Sequence, residues 1–241
     1  MKSVFTKKFP EERGRVHFIS QNAALPFTDR QLKEGLDLHC GRLNLNEIQE
    51  DFVDNKVFSS AYSKFKRIMD YFGVVLLFIL FAPVILAVAV IIKLADEEPV
   101  LFKQIRVGIN NRDYTVYKFR SMSLGKKITK FGRFIRRTKI DELPQLYNVL
   151  MGDMSLIGPR PEQRPLVDCY SKEIPYYAYR HIVKPGITGW AQVEHGYVDT
   201  IEGTRVKLEY DLYYLKNLSF RLEVLIVSKT LFILLKGFFG R

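Results

Sequence analysis

FGVVLLFILFAPVILAVAVII, residues 72–92, is a run of 21 residues without a charge. As a helix rising about 1.5 Å per residue it is roughly 31 Å long, enough to cross a bilayer core of about 30 Å. Two features argue against a simple span. Pro83 stands at the midpoint, where it removes one backbone hydrogen bond and crowds the preceding turn, so it favours a kink. Both flanks are basic: Lys64, Lys66 and Arg67 precede the run, and Lys93, Lys103 and Arg106 follow it. Basic flanks prefer the cytoplasmic side, so a helix broken at Pro83 that dips in and returns accounts for both features. Proline is nonetheless tolerated in spanning helices, and Asp96, Glu97 and Glu98 dilute the second flank. The residues alone leave both topologies open.

Outside this run the chain reads as folded and mixed. At 241 residues, 47% hydrophobic and 26% charged, it has room for one or two domains and a sizeable core, and it is neither disordered nor polytopic. The formal charge of +11 implies an anionic partner: nucleic acid, anionic lipid or a phosphorylated substrate. Cys40 and Cys169 stand apart without a CxxC and read as free thiols of a reducing compartment. His17, His39, His181 and His195 show no metal-binding spacing, and no zinc site is expected. No cleavable signal is expected either. Three regions follow: a polar extension of unknown role over 1–60, the membrane-helix region over 61–98, and a domain over 99–241.

Within that domain, YTVYKF (114–119) is rich in aromatic and β-branched residues and reads as a strand. Residues 126–139 carry seven basic side chains, Lys126, Lys127, Lys130, Arg133, Arg136, Arg137 and Lys139, interleaved with Ile128, Phe131, Phe134 and Ile135. That pattern fits an amphipathic helix on a membrane surface. The tail, 222–239, is strongly apolar but interrupted, and reads as a helix packed on the core or half-buried in the interface. With few strand signals, the expected fold class is α+β, mainly helical: a compact domain with amphipathic interfacial helices.

The chemistry concentrates in RRTKIDELPQLYNVLMGDMSLIGPRPE, residues 136–162. Pro144 fits only the first turn of a helix, so Asp141 or its predecessor is expected to open one. Leu143, Leu146, Tyr147 and Leu150 then form its apolar face. Asp141 and Glu142 would sit at its N-terminus, where free N–H groups favour negative charge and phosphate. Adjacent helical residues point about 100° apart, so one carboxylate can attack while the other binds metal or handles a proton. Gly158-Pro159-Arg160-Pro161 is a stiff turn that preorganises the Arg160 guanidinium for phosphate oxygens. Arg136, Lys118 and Arg120 can supply further cations. Carboxylates with a diphosphate suit Mg²⁺, and a membrane segment suits a lipid co-substrate. In HIVKPGITGWAQVEHG (181–196), turn signals place Trp190 near a bend. There it packs in the core, stacks on a base or anchors at an interface.

From about residue 65 onward the chain resembles the bacterial sugar transferases, the monotopic phosphoglycosyl transferases that initiate surface glycan synthesis on undecaprenyl phosphate. The motifs that carry the resemblance are PVLFKQIRVG (99–108), YKFRSM (117–122), DELPQLYNVLMGDMSLIGPRPE (141–162), KPGITGWAQV (184–193) and KLEYDLYYLKNLSF (207–220), in the family's order. The spacing PEQRP…IPYYAYRHIVKPG resembles the branch acting in exopolysaccharide assembly.

The resemblance implies that Asp141 is the nucleophile on the β-phosphate of a UDP-sugar, that UMP leaves, and that undecaprenyl phosphate then takes the phosphosugar. It implies that Glu142 completes the catalytic pair, with Mg²⁺ at Asp141 and Glu142, and that Arg136 and Arg160 contact phosphate. The family's membrane helix is re-entrant and broken at a Ser-Pro pair; here the pair is Ala82-Pro83. The implied location is the bacterial inner membrane, with the catalytic domain on the cytoplasmic face and membrane lipid as a partner. Nucleic acid is not an expected partner, and the oligomeric state is open, a homodimer included. Many members continue WAQV with Asn-Gly-Arg, whereas this chain has Glu194-His195-Gly196, so no contact of that arginine carries over. Two other readings use the same residues: a Mg²⁺-dependent membrane-bound diphosphate hydrolase, and a non-catalytic membrane adaptor.

Overall fold

In the computed structural model, which describes residues 41–43, 45, 60–95, 99–123, 127–196 and 200–239, the apolar run lies inside a single helix, α1, Ser60–Ala95. Its 36 residues extend roughly 54 Å. The break expected at Pro83 is not seen: the helix continues through the proline. Pro83 leaves the carbonyl four residues earlier without its helical donor, and the rest of the ladder absorbs that one loss. One face of α1 turns inward at three- to four-residue steps: Lys66, Asp70, Val74, Phe78, Phe81, Ile85, Val88 and Ile92 are buried or half-buried. The opposite face exposes Ile68, Phe72, Leu76, Ile79, Leu86 and Val90. Only 11% of its most apolar stretch is buried, which is far too little for the core helix of a soluble protein. An apolar surface of that extent marks association with a membrane.

Strand β1, Leu101–Val107, pairs antiparallel with β2, Asp113–Phe119, from Leu101↔Phe119 to Val107↔Asp113. The strand expected at 114–119 is present and gains a partner. Asn110 and Asn111 make the turn at φ 54° and 57°; asparagine tolerates this left-handed region because its short amide bonds locally. Helix α2, Lys130–Arg137, starts on Thr129, whose Oγ1 accepts from the Gly132 N–H at 2.8 Å. A β-carbon on Gly132 would lie 1.9 Å from the Ser121 carbonyl oxygen, so only glycine lets α2 close on that strand end. The helix is shorter than the basic stretch suggested. Ile135 is fully buried while Phe134 stays exposed; Lys126 lies outside the described residues.

The remaining elements are α3, Gln145–Met151; β3, Ser155–Ile157; α4, Arg164–Glu173; β4, Gly186–Thr188; α5, Trp190–Glu194; α6, Ile201–Lys216; and α7, Phe220–Phe239. Short 3₁₀ turns stand at Ile140–Glu142 and Tyr177–Ile182. β3 and β4 pair in parallel. Among the described residues the fold is thus mainly helical with two small sheets. One core cluster joins β3, α4, α5, α6 and α7 around Ile157, Tyr177, Leu208, Leu212 and Ile226. Two more are built on α1 itself: Val74 with Val116, Leu146, Val149 and Met154, then Val88 and Ile92 with Phe119 and Ile135. Polar ties add to this contact. Asp70 accepts from the Leu156 N–H at 3.1 Å, and Lys66 pairs with Glu223 of α7 at 2.7 Å.

Trp190 resolves as a core residue. It is 7% exposed, stacks on Tyr213 with centroids 6.0 Å apart, and donates Nε1–H to the Gly41 carbonyl at 2.6 Å. Leu43 and Leu45 are buried beside it. Gly41, Leu43 and Leu45 of the N-terminal extension are therefore part of the core. Cys40 lies outside the described residues; Cys169 is a free, exposed thiol.

Candidate active site

The Asp141-Glu142 pair sits one turn earlier than a regular helix would place it. Lys139 adopts a left-handed conformation at φ 59°, and the 3₁₀ turn Ile140–Glu142 follows. α3 begins only at Gln145, with Pro144 as its N-cap rather than inside its first turn. Pro144 cannot donate to the turn before it, so that turn closes through the tighter Glu142 N–H to Lys139 and Leu143 N–H to Ile140 bonds. The apolar face of α3 is also rotated from expectation. Leu146 and Val149 are buried with Gln145 and Asn148, while Tyr147 is exposed. Asn148 is the reason: its Oδ1 accepts from the Tyr117 N–H at 3.2 Å and its Nδ2 donates to the Thr115 carbonyl at 2.7 Å. The side chain thus caps the free edge of β2 and fixes α3, and the carboxylates before it, against the hairpin.

Arg160 reaches the pair from a second rigid unit. IGPRP and KPGIT interlock: Ser155 N–H donates to Pro185, Gly158 N–H to Thr188 and Gly186 N–H to Pro159, all at 2.9 Å. A β-carbon on Gly158 would stand 2.4 Å from the Lys184 carbonyl, so two backbones touch where a side chain would separate them. The turn is braced on both sides. Arg180 donates to the Arg160 carbonyl at 2.9 Å, and Arg106 to the Pro161 carbonyl at 3.0 Å.

The two carboxylates have opposite surroundings. Glu142 Oε1 accepts from Lys118 at 2.9 Å and from Arg160 at 2.6 Å, and its Oε2 faces Arg160 at 3.4 Å. Burial works to raise the Glu142 carboxyl, but Arg160 and then Lys118 override it and hold it well below the usual carboxylate range. Asp141 is equally buried, yet its Oδ1 makes no hydrogen bond. Burial first, and the charge of Glu142 second, push the Asp141 carboxyl up against the pull of Lys118, Lys139 and Arg136. Both face a pocket of about 600 Å³ whose wall includes Lys118, Arg120, Arg136 and Lys139.

Every residue singled out from the sequence for the site therefore stands at this pocket or on its carboxylates; Pro83 is elsewhere, on the exposed part of α1. Their engagements differ, however. Lys118 and Arg160 are spent on Glu142, whereas Arg136 holds Ser121 Oγ at 2.6 Å and lines the cavity. Lys139, Ser121 and Gln104 line it as well and were not singled out. Lys139 could have been found from its place two residues before Asp141; the other two depend on strand geometry.

Among the described residues no three or more His, Cys, Asp or Glu side chains converge as a metal cage. Mg²⁺ bound largely through substrate phosphates needs only one or two carboxylates. The buried, unbonded Oδ1 of Asp141 fits that demand. Glu142 does not, because its oxygens already face two cations.

Lys139 carries both a charge and a strained backbone, and substitution separates the two. Lys139→Gly is expected to leave the turn intact and stabilise the chain by up to about 1 kcal/mol, since glycine adopts positive φ without cost. Activity is expected to fall as the amine is lost. Melting temperature and initial rate measured on one sample check both.

The family model described as bacterial sugar transferase matches residues 61–237. The chain is 48% identical over 237 residues to the UDP-N-acetylgalactosamine-undecaprenyl-phosphate N-acetylgalactosaminephosphotransferase of Aeromonas hydrophila, covering 93% of this chain and 56% of that protein. It is 39% identical over 192 residues to the UDP-glucose:undecaprenyl-phosphate glucose-1-phosphate transferase of Klebsiella pneumoniae, 73% of this chain and 41% of that one. With the exopolysaccharide production protein PSS of Rhizobium leguminosarum it shares 39% identity over 184 residues, 68% of this chain and 92% of the relative. The chain thus spans about half the length of the first two relatives.

Proposed function

This chain belongs to the bacterial sugar transferase family, and from that premise we propose that it transfers a sugar 1-phosphate from a UDP-sugar to undecaprenyl phosphate through a covalent adduct on Asp141. The observation that carries the reading is the asymmetry of the pair: a clamped, ionised Glu142 beside a buried Asp141 with an unbonded oxygen, both facing a cationic pocket. Asp141 attacks the β-phosphorus. An aspartyl O–P bond forms, the bond to the bridging oxygen breaks, and UMP leaves with that oxygen. An oxygen of undecaprenyl phosphate then attacks the same phosphorus, the aspartyl O–P bond breaks, and Asp141 is regenerated as a carboxylate. Lys139, Arg136 and Arg120 are placed to offset the diphosphate charge. Asp141, with substrate oxygens, would hold Mg²⁺, which would supply further charge neutralisation. Glu142 spaces Lys118 and Arg160 around the phosphate rather than taking the metal.

The names of the relatives support the acceptor and the class of donor; the sugar is N-acetylgalactosamine in one and glucose in another. A role in starting exopolysaccharide, capsule or O-antigen synthesis at the inner membrane, with the domain on the cytoplasmic face, follows from the same reading. The packing of α1 supports a monotopic arrangement, without the break at Pro83 that a re-entrant path would need. The helix touches the polar domain from Lys66 to Ile92, so crossing the bilayer would draw that domain into hydrocarbon. Immersing only the free apolar face keeps both ends on one side.

The test is a labelled UDP-sugar incubated with and without undecaprenyl phosphate. Label appearing in lipid only when the acceptor is present supports transfer; free sugar phosphate released equally without it identifies a hydrolase. A pH dependence also follows. Asp141 attacks only when ionised, and its surroundings raise its pKa. The acid limb of kcat/KM is therefore expected above the ordinary aspartate value of about 4. It should move higher still in Lys139→Gly, which removes a charge that lowers it. Initial rates across the acid range give both limbs.

A further inference from the structure

We infer that Gln104 donates a hydrogen bond from its side-chain amide to an uncharged acceptor oxygen of the nucleotide sugar. The inference rests on the transferase reading and adds a substrate contact to it. Gln104 lies on β1 between Phe102 and Arg106, and all three line the pocket. Its Oε1 accepts two hydrogen bonds from Arg106, from Nε at 3.0 Å and from the second terminal nitrogen at 2.7 Å. A guanidinium has donors and no acceptor, so the amide orientation is decided by chemistry: oxygen toward Arg106, NH₂ away from it. The third Arg106 nitrogen donates to the Pro161 carbonyl at 3.0 Å and faces Glu162 at 3.5 Å. Glu162 is held in turn by Lys207 at 2.7 Å. The amide is thus fixed to the same braced turn that aims Arg160.

Its NH₂ group makes no hydrogen bond within the described residues, and it lines the cavity that holds Asp141 and Glu142. That is a preorganised neutral donor in a site otherwise dominated by cations. Arg136 and Lys139, which line the same pocket, are the stronger partners for phosphate oxygens, through charge-assisted bonds about twice as strong as neutral ones. With those cations on the phosphate oxygens, the amide is left to an uncharged oxygen, such as a sugar hydroxyl, an N-acetyl carbonyl or a carbonyl of the base. Phe102, 43% exposed and two residues away on the same strand face, offers an apolar ring for the uncharged moiety to lie against.

The bland role for Gln104 is to anchor Arg106 and nothing more, and two variants separate the readings. Gln104→Glu keeps the acceptor for Arg106, strengthens that bond and so preserves the fold, but removes the donor. Gln104→Met removes the donor without adding charge. Michaelis constants for UDP-N-acetylgalactosamine and UDP-glucose, and calorimetric titration of UMP, are measured on the full chain in detergent alongside its melting temperature. Both variants are expected to weaken the donor about tenfold, the value of one lost hydrogen bond, with the Gln104→Glu melting temperature unchanged or raised. A loss shared by UMP puts the acceptor oxygen on the nucleoside half; a loss confined to the UDP-sugars puts it on the sugar. An active wild type matched by Gln104→Met, or a loss seen only in the charged variant, overturns this inference alone. A wild type that releases no UMP from any UDP-sugar overturns the transferase reading, and this contact with it.

Discussion

Replacing Asp141 by asparagine is expected to abolish transfer and to raise the melting temperature of the same protein. The rate loss should reach about ten-thousand-fold or more, the scale seen when the group that forms a covalent bond is removed. The gain in stability comes from the group's surroundings. Asp141 is 9% exposed and has an oxygen without a hydrogen bond, beside the ionised Glu142. Its folded-state pKa is raised, so the native chain binds that proton more tightly than the unfolded chain does. Stability therefore falls as pH rises from the unfolded value through the folded one, and the cost is complete above the folded one. A neutral amide carries no such cost, and the expected gain is on the order of 1 kcal/mol. The gap between variant and wild type should widen as pH rises from the acid range and then level off. Glu142 runs the other way. Its pKa is lowered, so its contribution is present above the ordinary glutamate range and is lost as pH falls below it. Thermal melts over a pH series distinguish the two signs.

The largest structural effect is expected from Asp211→Ala. Asp211 and Arg180 are 3% and 2% exposed and meet at 2.8 Å. Arg180 also donates to Tyr177 at 2.9 Å and to the Arg160 carbonyl at 2.9 Å. Removing the carboxylate leaves a buried guanidinium without its counter-charge, which costs about 3–5 kcal/mol. For a chain of this size that corresponds to a fall of roughly 6–20 °C in melting temperature. The loss should reach the site as well, because Arg180 braces the turn that directs Arg160 onto Glu142. Double substitution with Arg180→Met should recover part of the stability, since an apolar replacement of both partners leaves no buried charge.

Much of the site was readable from residues 136–162, because the groups that do the chemistry are neighbours in sequence there. The Asp141-Glu142 pair, Pro144 and the Pro-braced Arg160 lie within one short stretch, and their turn and helix signals are local. What could not be read is set by tertiary contact. Tyr147 fits an apolar helical face by spacing, yet Asn148 takes the inward position because the free edge of β2 needs its amide. Gln104 is one polar residue in a half-exposed strand, and only the fold shows that its face looks into the pocket. Gly41, Leu43 and Leu45 give no periodic signal, since they fill a gap beside Trp190 as single residues. The division of labour within the pair came from the resemblance and not from the residues themselves. Both carboxylates are acidic residues at a helix start, and in the structure the placement of Lys118 and Arg160 on Glu142 tells them apart. The same geometry moves the metal from both carboxylates to Asp141 in the proposed mechanism.

Whether Asp141 carries the phosphosugar is tested most directly by intact-protein mass spectrometry after incubation with a UDP-sugar in the absence of undecaprenyl phosphate. The wild-type chain is expected to gain the mass of one phosphosugar, to release one equivalent of UMP, and to lose the added mass when undecaprenyl phosphate is supplied. Asp141→Asn is expected to gain nothing. An adduct of the same mass on Asp141→Asn, or transfer to lipid at full rate with no adduct on the wild type, would contradict the assignment.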